Sequence, residues 1–205
     1  MSRTSNTAHR RDQIADACKT LLAERGYEGT TTIDIAKRAG LAPGLVHYHF
    51  ASKEAILVAV TERVAQALLQ RVEARQAEAA TSPEARLRAI LDAHVALGPD
   101  ADPAGVAAWN VIVDEAMRRP DVKLAVDRVL EADAQLIRTA VSAVLGAQGS
   151  RANEITGALL AAVHGYWQLS RLDPRLVPPG SAQAGLRAMA DGLMHARTDA
   201  QGVVS

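Results

Sequence analysis

The sequence predicts an all-α protein of about nine helices, with a small N-terminal three-helix domain followed by a larger helical one. Three observations carry that expectation. Aromatic residues make up only 3% of the chain and alanine is abundant, so its elements must pack closely on small side chains. Runs of Val, Ile, Thr and aromatics with period-two alternation are few, which argues against sheets. Apolar residues recur instead at helical spacing between Gly, Pro, Ser and Thr punctuation. At 205 residues the chain can bury a sizeable core.

Residues 1–9 read as a flexible polar arm. From Arg10 to Arg25 the apolar residues Ile14, Ala17, Cys18, Leu21 and Leu22 follow helical spacing, and Gly26 ends that helix. Thr31 and Thr32 offer N-caps for a helix running to about Ala39, with Asp34 in its first turn. Gly40 supplies a tight turn, and Pro43 starts the next short helix where its missing N–H costs nothing. Ser52 then caps a long helix from Lys53 to about Ala79.

In the second half, Ser82-Pro83 opens a helix to about Leu97, and Asp102-Pro103 opens another to about Arg118. Pro120 begins a longer one reaching Leu145, and Ser150 is positioned to cap a helix to Leu172. A Pro-rich loop, DPRLVPPG, follows, and a last helix spans Ser181 to Arg197. The domain boundary falls between a 1–55 head and a 56–205 body.

Formal charge balances to zero, but unevenly: residues 1–55 carry 8 Lys/Arg against 6 Asp/Glu, and residues 56–205 carry 15 against 17. A slightly basic head on a slightly acidic body has the sign expected if the head alone meets nucleic acid. Cys18 is the only cysteine, so no internal disulfide or cysteine-based metal site is expected; on the apolar side of its helix it reads as core. No segment suits a bilayer span, and MSRTSNTAHRRD lacks the apolar stretch of a secretory signal, which predicts a cytoplasmic protein.

The informative stretch is TTTIDIAKRAGLAPGLVHYHFASKE: a capped short helix, a glycine turn, and a second short helix crowded with His and Tyr. A helix of that length beyond a tight turn fits the major groove of duplex DNA. Leu41, Val46 and Phe50 must pack inward on Ile35 and Ala36, which leaves Pro43, Gly44, Leu45, His47 and Tyr48 toward the open side. Pro43 and Gly44 allow close backbone approach, Leu45 suits a thymine methyl, and His47 suits a base edge or phosphate. Tyr48, His49 and Lys53 are expected on phosphates, with Thr31 and Thr32 bringing a hydroxyl or N–H from a helix N-terminus.

This run resembles the helix-turn-helix domain of TetR-family bacterial transcriptional regulators over residues 10–60, and ALLAAVHGYWQLSRLDP is similar to the BetI-type subgroup. The resemblance implies an all-α homodimer whose heads bind a palindromic operator and which a small molecule in the C-terminal domain releases. The chain departs from the family pattern at Ala42, where Ser would cap the recognition helix, at His47, where Tyr is common, and at the apolar Ile33. That helix also carries no Arg for bidentate readout of guanine, so shape readout and help from Arg3, Arg10 or Arg11 are expected.

In the body, polar and aromatic groups interrupt apolar faces at His94, at Trp109, Asn110, Val113 and Met117, and at His164 and Trp167. A few convergent polar groups among apolar ones mark a small-molecule site, and these residues are the expected effector contacts. Gly157, Leu160, Ala161, Gly165, Leu186, Met189 and Leu193 are expected at a two-fold interface of the last two helices. No metal-ligand spacing, phosphate loop or nucleophile elbow is present, so neither catalysis nor a cofactor is expected. The alternatives are a helix-turn-helix regulator without ligand control and a protein–protein adaptor on the same fold.

Overall fold

The computed structural model describes residues 3–79, 81–96 and 100–196. Among them are nine α-helices and no strand: α1 (Arg3–Arg25), α2 (Thr32–Arg38), α3 (Pro43–His49), α4 (Lys53–Glu78), α5 (Pro83–His94), α6 (Pro103–Ala116), α7 (Pro120–Leu145), α8 (Ser150–Leu172) and α9 (Ser181–His195). A 3-10 turn, Pro174–Leu176, sits in the Pro-rich loop, where Asp173 caps it through the N–H of Arg175. Among the described residues no helix is long and apolar enough to cross a membrane.

Contacts divide the chain into one unit of Met1–Glu73 with Gly98–Asp133 and another of Ala74–Leu97 with Ala134–Ser205. In the first, α1 packs on α2, α3 and α6 around a core that includes Ile14, Cys18, Leu21, Leu22, Ile35, Val46, Ile56 and Leu57. Each large aliphatic in such a core contributes about 2–5 kcal/mol against truncation to alanine. The helix begins at Arg3, so the stretch expected to be an arm is helical from its third residue. The side chain of Arg3 lies outside the described residues.

Gly26, at φ +70, ends α1 and donates its N–H to the carbonyl of Leu22 at 3.0 Å. The turn that follows is closed by buried Thr30, whose hydroxyl donates to the Gly26 carbonyl at 2.8 Å. Helix α2 starts on a full capping box, with Asp34 N–H donating to Thr31 Oγ1 at 3.1 Å and Thr31 N–H donating to the Asp34 carboxylate at 3.3 Å. It stops in a Schellman turn: Gly40 N–H reaches Lys37 O at 3.2 Å and Leu41 N–H reaches Ala36 O at 2.9 Å, with Gly40 at φ +65.

In the second unit α9 packs on α8 and α5 around Ile90, Leu91, Ile155, Leu159, Val163 and Leu186. Asp92 of α5 receives a two-pronged contact from Arg187 of α9, with Nε 2.9 Å from Oδ1. Arg151 of α8 donates to the carbonyls of Leu193 and Ala196, closing the end of α9. A Cβ at Gly185 would stand 2.1 Å from the hydroxyl of Tyr166, so the α8–α9 crossing is as close as it is because residue 185 has no side chain.

Three sequence expectations need correction in this unit. Ser150 is the first helical residue of α8 rather than its cap; Gly149 holds that position without a side-chain bond. The Pro-rich loop is partly helical. Leu186, expected at a partner surface, is 1% exposed and belongs to its own unit's core, whereas Gly157, Ala161 and Met189 are exposed.

Candidate nucleic-acid interface

Helix α3 is seven residues long and presents one buried side chain, Val46, to the head. Phe50 at its end is buried too. Around that anchor Pro43, Gly44, Leu45, His47 and Tyr48 are all exposed, and Tyr48 is 79% exposed. Nothing lies within 4 Å of where a Gly44 Cβ would be, so the tip of the helix is open for close approach. His49 is half-buried, its ring edge-on to Tyr48 at 5.1 Å. The five residues assigned to the open side therefore share one solvent-facing surface, as the inward pull of Val46 and Phe50 requires.

The N-cap of α3 is Ala42, and no side chain satisfies its first N–H groups. The other end is held from α1: Arg11 Nη1 donates to the carbonyl of His49 at 2.5 Å, and its guanidinium lies 4.1 Å from the Phe50 ring centroid. Arg10 donates to Gln13 Oε1 at 2.8 Å, and Gln13 in turn reaches the Ala39 carbonyl at the end of α2. Arg10 and Arg11, expected to reach DNA, thus have partners inside the head. No pattern in the sequence pairs Arg11 with a carbonyl 38 residues away.

Thr31 and Thr32 differ from each other. The Thr31 hydroxyl donates to Asp34 Oδ2 at 2.6 Å, and the same bonds from the Thr31 side chain and backbone hold the Asp34 carboxyl below its ordinary value. The anion at the start of α2 is therefore the protein's own carboxylate, which disfavours a phosphate on the Thr31 hydroxyl. Thr32 is half-buried at the first helical position. Exposed Ile33, at 65%, adds an apolar side chain to α2.

Lys53 is where expectation and structure diverge most. Its ammonium donates to the Tyr27 carbonyl at 2.5 Å and lies 3.6 Å from the centroid of the Tyr27 ring. Burial pushes its pKa down, against the opposing pull of Glu28. Tyr27 is itself buried, donates its hydroxyl to Glu54 Oε1 at 3.0 Å, and carries the guanidinium of Arg119 at 4.3 Å from its centroid. Glu54 is held below its usual range by its own backbone N–H, by the Ser52 hydroxyl and by Tyr27.

The expected effector residues fall in both units. Within the second, His94, His164 and Trp167 come together: the Trp167 indole N–H donates to the His94 carbonyl at 2.8 Å, and the His164 ring meets Trp167 edge-on at 5.0 Å. The His94 ring is parallel to Trp167 at 6.2 Å, and its Nδ1–H donates to the Ile90 carbonyl at 2.8 Å. Within the first unit Trp109 is 3% exposed and Asn110 is half-buried, but Val113 and Met117 are 37% and 76% exposed. The broad face expected for these four residues is therefore divided between core and solvent. Among the described residues no group of His, Cys, Asp and Glu is placed to hold a metal ion.

Known proteins share both the sequence pattern and the fold. The family model described as bacterial regulatory proteins of the tetR family matches residues 14–60, and that of the BetI-type transcriptional repressor C-terminal domain matches residues 83–195, more than half of the chain. The HTH-type transcriptional regulator BetI of Burkholderia mallei is 28% identical over 160 residues, 77% of this chain and 80% of its own. Among solved structures, a transcriptional regulator from Rhodococcus sp. Rha1 has a TM-score of 0.76 at 23% identity, covering 90% of this chain and 95% of its own. One from Saccharomonospora viridis, solved in complex with choline, has a TM-score of 0.75 at 20% identity, covering 92% and 97%. At these identities the two structures establish a shared fold.

Proposed function

The chain belongs to the TetR family of bacterial regulatory proteins, with a C-terminal domain of the BetI type, and from that membership we propose a homodimeric cytoplasmic repressor that binds a palindromic operator and is released by a small molecule. It is a DNA-binding transcriptional regulator and not an enzyme, as its family and relatives are. Residues 1–55 read DNA, and residues 56–205 bind the effector and dimerise.

The observation that carries this reading is the exposed tip of α3. Pro43, Gly44, Leu45, His47 and Tyr48 stand clear of the head on a helix pinned by Val46 and Phe50. Leu45 faces a thymine methyl, His47 a base edge, and Tyr48 and His49 adjacent phosphates. Thr32 adds a backbone N–H at the start of α2. Lys53 joins the phosphate contacts by leaving the Tyr27 carbonyl. Exposed Gly157, Ala161 and Met189 on α8 and α9 supply a partner surface in the dimer, so that two α3 helices read two half-sites.

For the effector, the cluster of His94, His164 and Trp167 supports an aromatic-sided contact, and Trp109 with Asn110 supports a second within the other unit. The relative from Saccharomonospora viridis holds choline, and a compact quaternary ammonium is the ligand class that Trp rings attract by cation–π contact. Incubating the protein with sheared genomic DNA and sequencing what it retains tests the central reading. A palindrome upstream of a few genes supports it, and unselective recovery would move the adaptor reading ahead. Titrating choline into the recovered complex then tests the ligand class, with unchanged DNA affinity counting against it.

A further inference from the structure

Three charged side chains meet Tyr27 at the foot of α4, and a fourth pairs with one of them. Lys53 and Arg119 both lie against Tyr27, at 3.6 and 4.3 Å from its centroid. Two carboxylates balance them: Glu54, whose Oε1 is 3.0 Å from the Tyr27 hydroxyl and 3.8 Å from Arg119 Nε, and Glu115, whose Oε2 is 3.3 Å from Arg119 Nε. Glu115 is 6% exposed and Tyr27 is equally buried, so these charges are partly removed from water and depend on one another.

The members come from three places in the chain. Tyr27 lies in the turn between α1 and α2, and Lys53 with Glu54 opens α4 after a three-residue link from the end of α3. Glu115 and Arg119 sit where α6 gives way to α7, more than sixty residues further on. Arg119 is the one member whose side chain reaches the ring and both carboxylates. It therefore ties the α6–α7 corner to the residues on either side of α2 and α3. Arg119 itself is part-buried and has these partners already, so it is not presented as a DNA contact.

We infer that Arg119 is a positioning residue for operator binding. By stacking on Tyr27 and pairing with Glu54 and Glu115 it fixes the start of α4, and with it the direction in which α3 leaves the head. The inference rests on the reading of α3 as the operator contact. It adds a residue of the α6–α7 corner to the set on which DNA affinity depends, although that residue touches no DNA.

The full-length protein and a labelled duplex recovered from genomic DNA by the wild type provide the test, with affinity measured by fluorescence anisotropy over a salt series. Arg119→Ala is expected to weaken binding about tenfold, with its helical circular dichroism retained. The slope of log K against log salt is expected to stay at the wild-type value, because no phosphate contact is lost. In a Tyr27→Leu background, Arg119→Ala is expected to cost little more, since the ring it acts through is gone. Arg119→Lys keeps the charge without the planar stack and should recover part of the affinity; it also serves if the alanine variant does not fold. Wild-type affinity in both Arg119 variants, additive losses in the double variant, or a slope reduced by about 0.9 would each overturn the inference. If the wild-type protein retains no sequence, the operator reading falls and this inference with it; if the wild type binds and the Arg119 variants match it, only the inference falls.

Discussion

Arg11 and His49 are joined by a hydrogen bond of 2.5 Å from a guanidinium on α1 to the last carbonyl of α3, with Phe50 lying under the same guanidinium. A helix of seven residues has little cooperativity of its own, so its geometry comes from what grips its ends. Here a cation meets the negative end of the helix dipole. Arg11→Ala should lower operator affinity roughly fivefold while costing under about 1 kcal/mol of stability, because the bond is exposed. Anisotropy titration beside thermal melting separates the two effects; a large stability loss would show that Arg11 supports the core instead.

The other end of α3 offers a gain. Ala42 already has the extended backbone of an N-cap, φ −67 and ψ 140, and lacks only a side-chain acceptor. Ala42→Ser should stabilise the protein by about 1 kcal/mol and raise its Tm by about 2–4 °C. An unchanged or lower Tm in calorimetry would mean that the first turn of α3 is satisfied in some other way.

Tyr48 and Lys53 should behave differently when truncated. Tyr48 is 79% exposed, so Tyr48→Ala should leave the Tm nearly unchanged and lower operator affinity, with the salt slope kept because a neutral hydroxyl releases no counterion. Lys53→Ala also removes the bond to the Tyr27 carbonyl and the ring contact, and should cost about 1–2 kcal/mol of stability besides. Melting curves that are identical for the two variants would contradict the inward placement of Lys53.

Acid should loosen the head through Asp34. Thr31 holds this carboxyl below its ordinary value of 3.8 in the fold, so the unfolded chain takes up the proton first as pH falls. The stability from the capping box is complete above 3.8 and disappears as pH drops through the depressed folded value. Asp34→Asn should flatten the decline of Tm between about pH 4 and 2. An unaltered acid limb would place the sensitivity elsewhere, for example at Glu24 beside Arg38 or at Glu54.

Cys18 is fully buried and burial pushes its thiol up to about 12. Because the thiolate is the reactive form, alkylation at neutral pH should proceed only as fast as the head opens. Labelling followed by mass spectrometry should track the denaturant dependence of unfolding. Rapid modification of the native protein would show that α1 separates from the core well below the global transition.

Much of this was legible in the sequence because it is local. The Gly40 turn, Thr31 cap, missing Ala42 cap and outward set on α3 are all fixed by residues within a few positions of one another. What the sequence hid is long-range or lacks periodicity. Residues 3–9 carry no apolar repeat to announce that α1 already includes them. The Lys53–Tyr27 contact spans 26 residues, and Arg119 reaches Tyr27 from far beyond the head, so neither leaves a motif. Met117 and Val113 share a helical spacing with Trp109, yet the buried face of α6 runs through Ala108, Trp109, Ile112 and Ala116, so both lie off it toward solvent.

The bare chemistry of α3 has a consequence for how the protein finds its target. PGLVHYH contains neither Lys nor Arg, and the whole chain is formally neutral. Attraction to arbitrary duplex is the sum of cation–phosphate contacts, and a reading surface poor in fixed cations gains little of it. Unrelated duplex added to an operator titration is therefore expected to compete only weakly for α3.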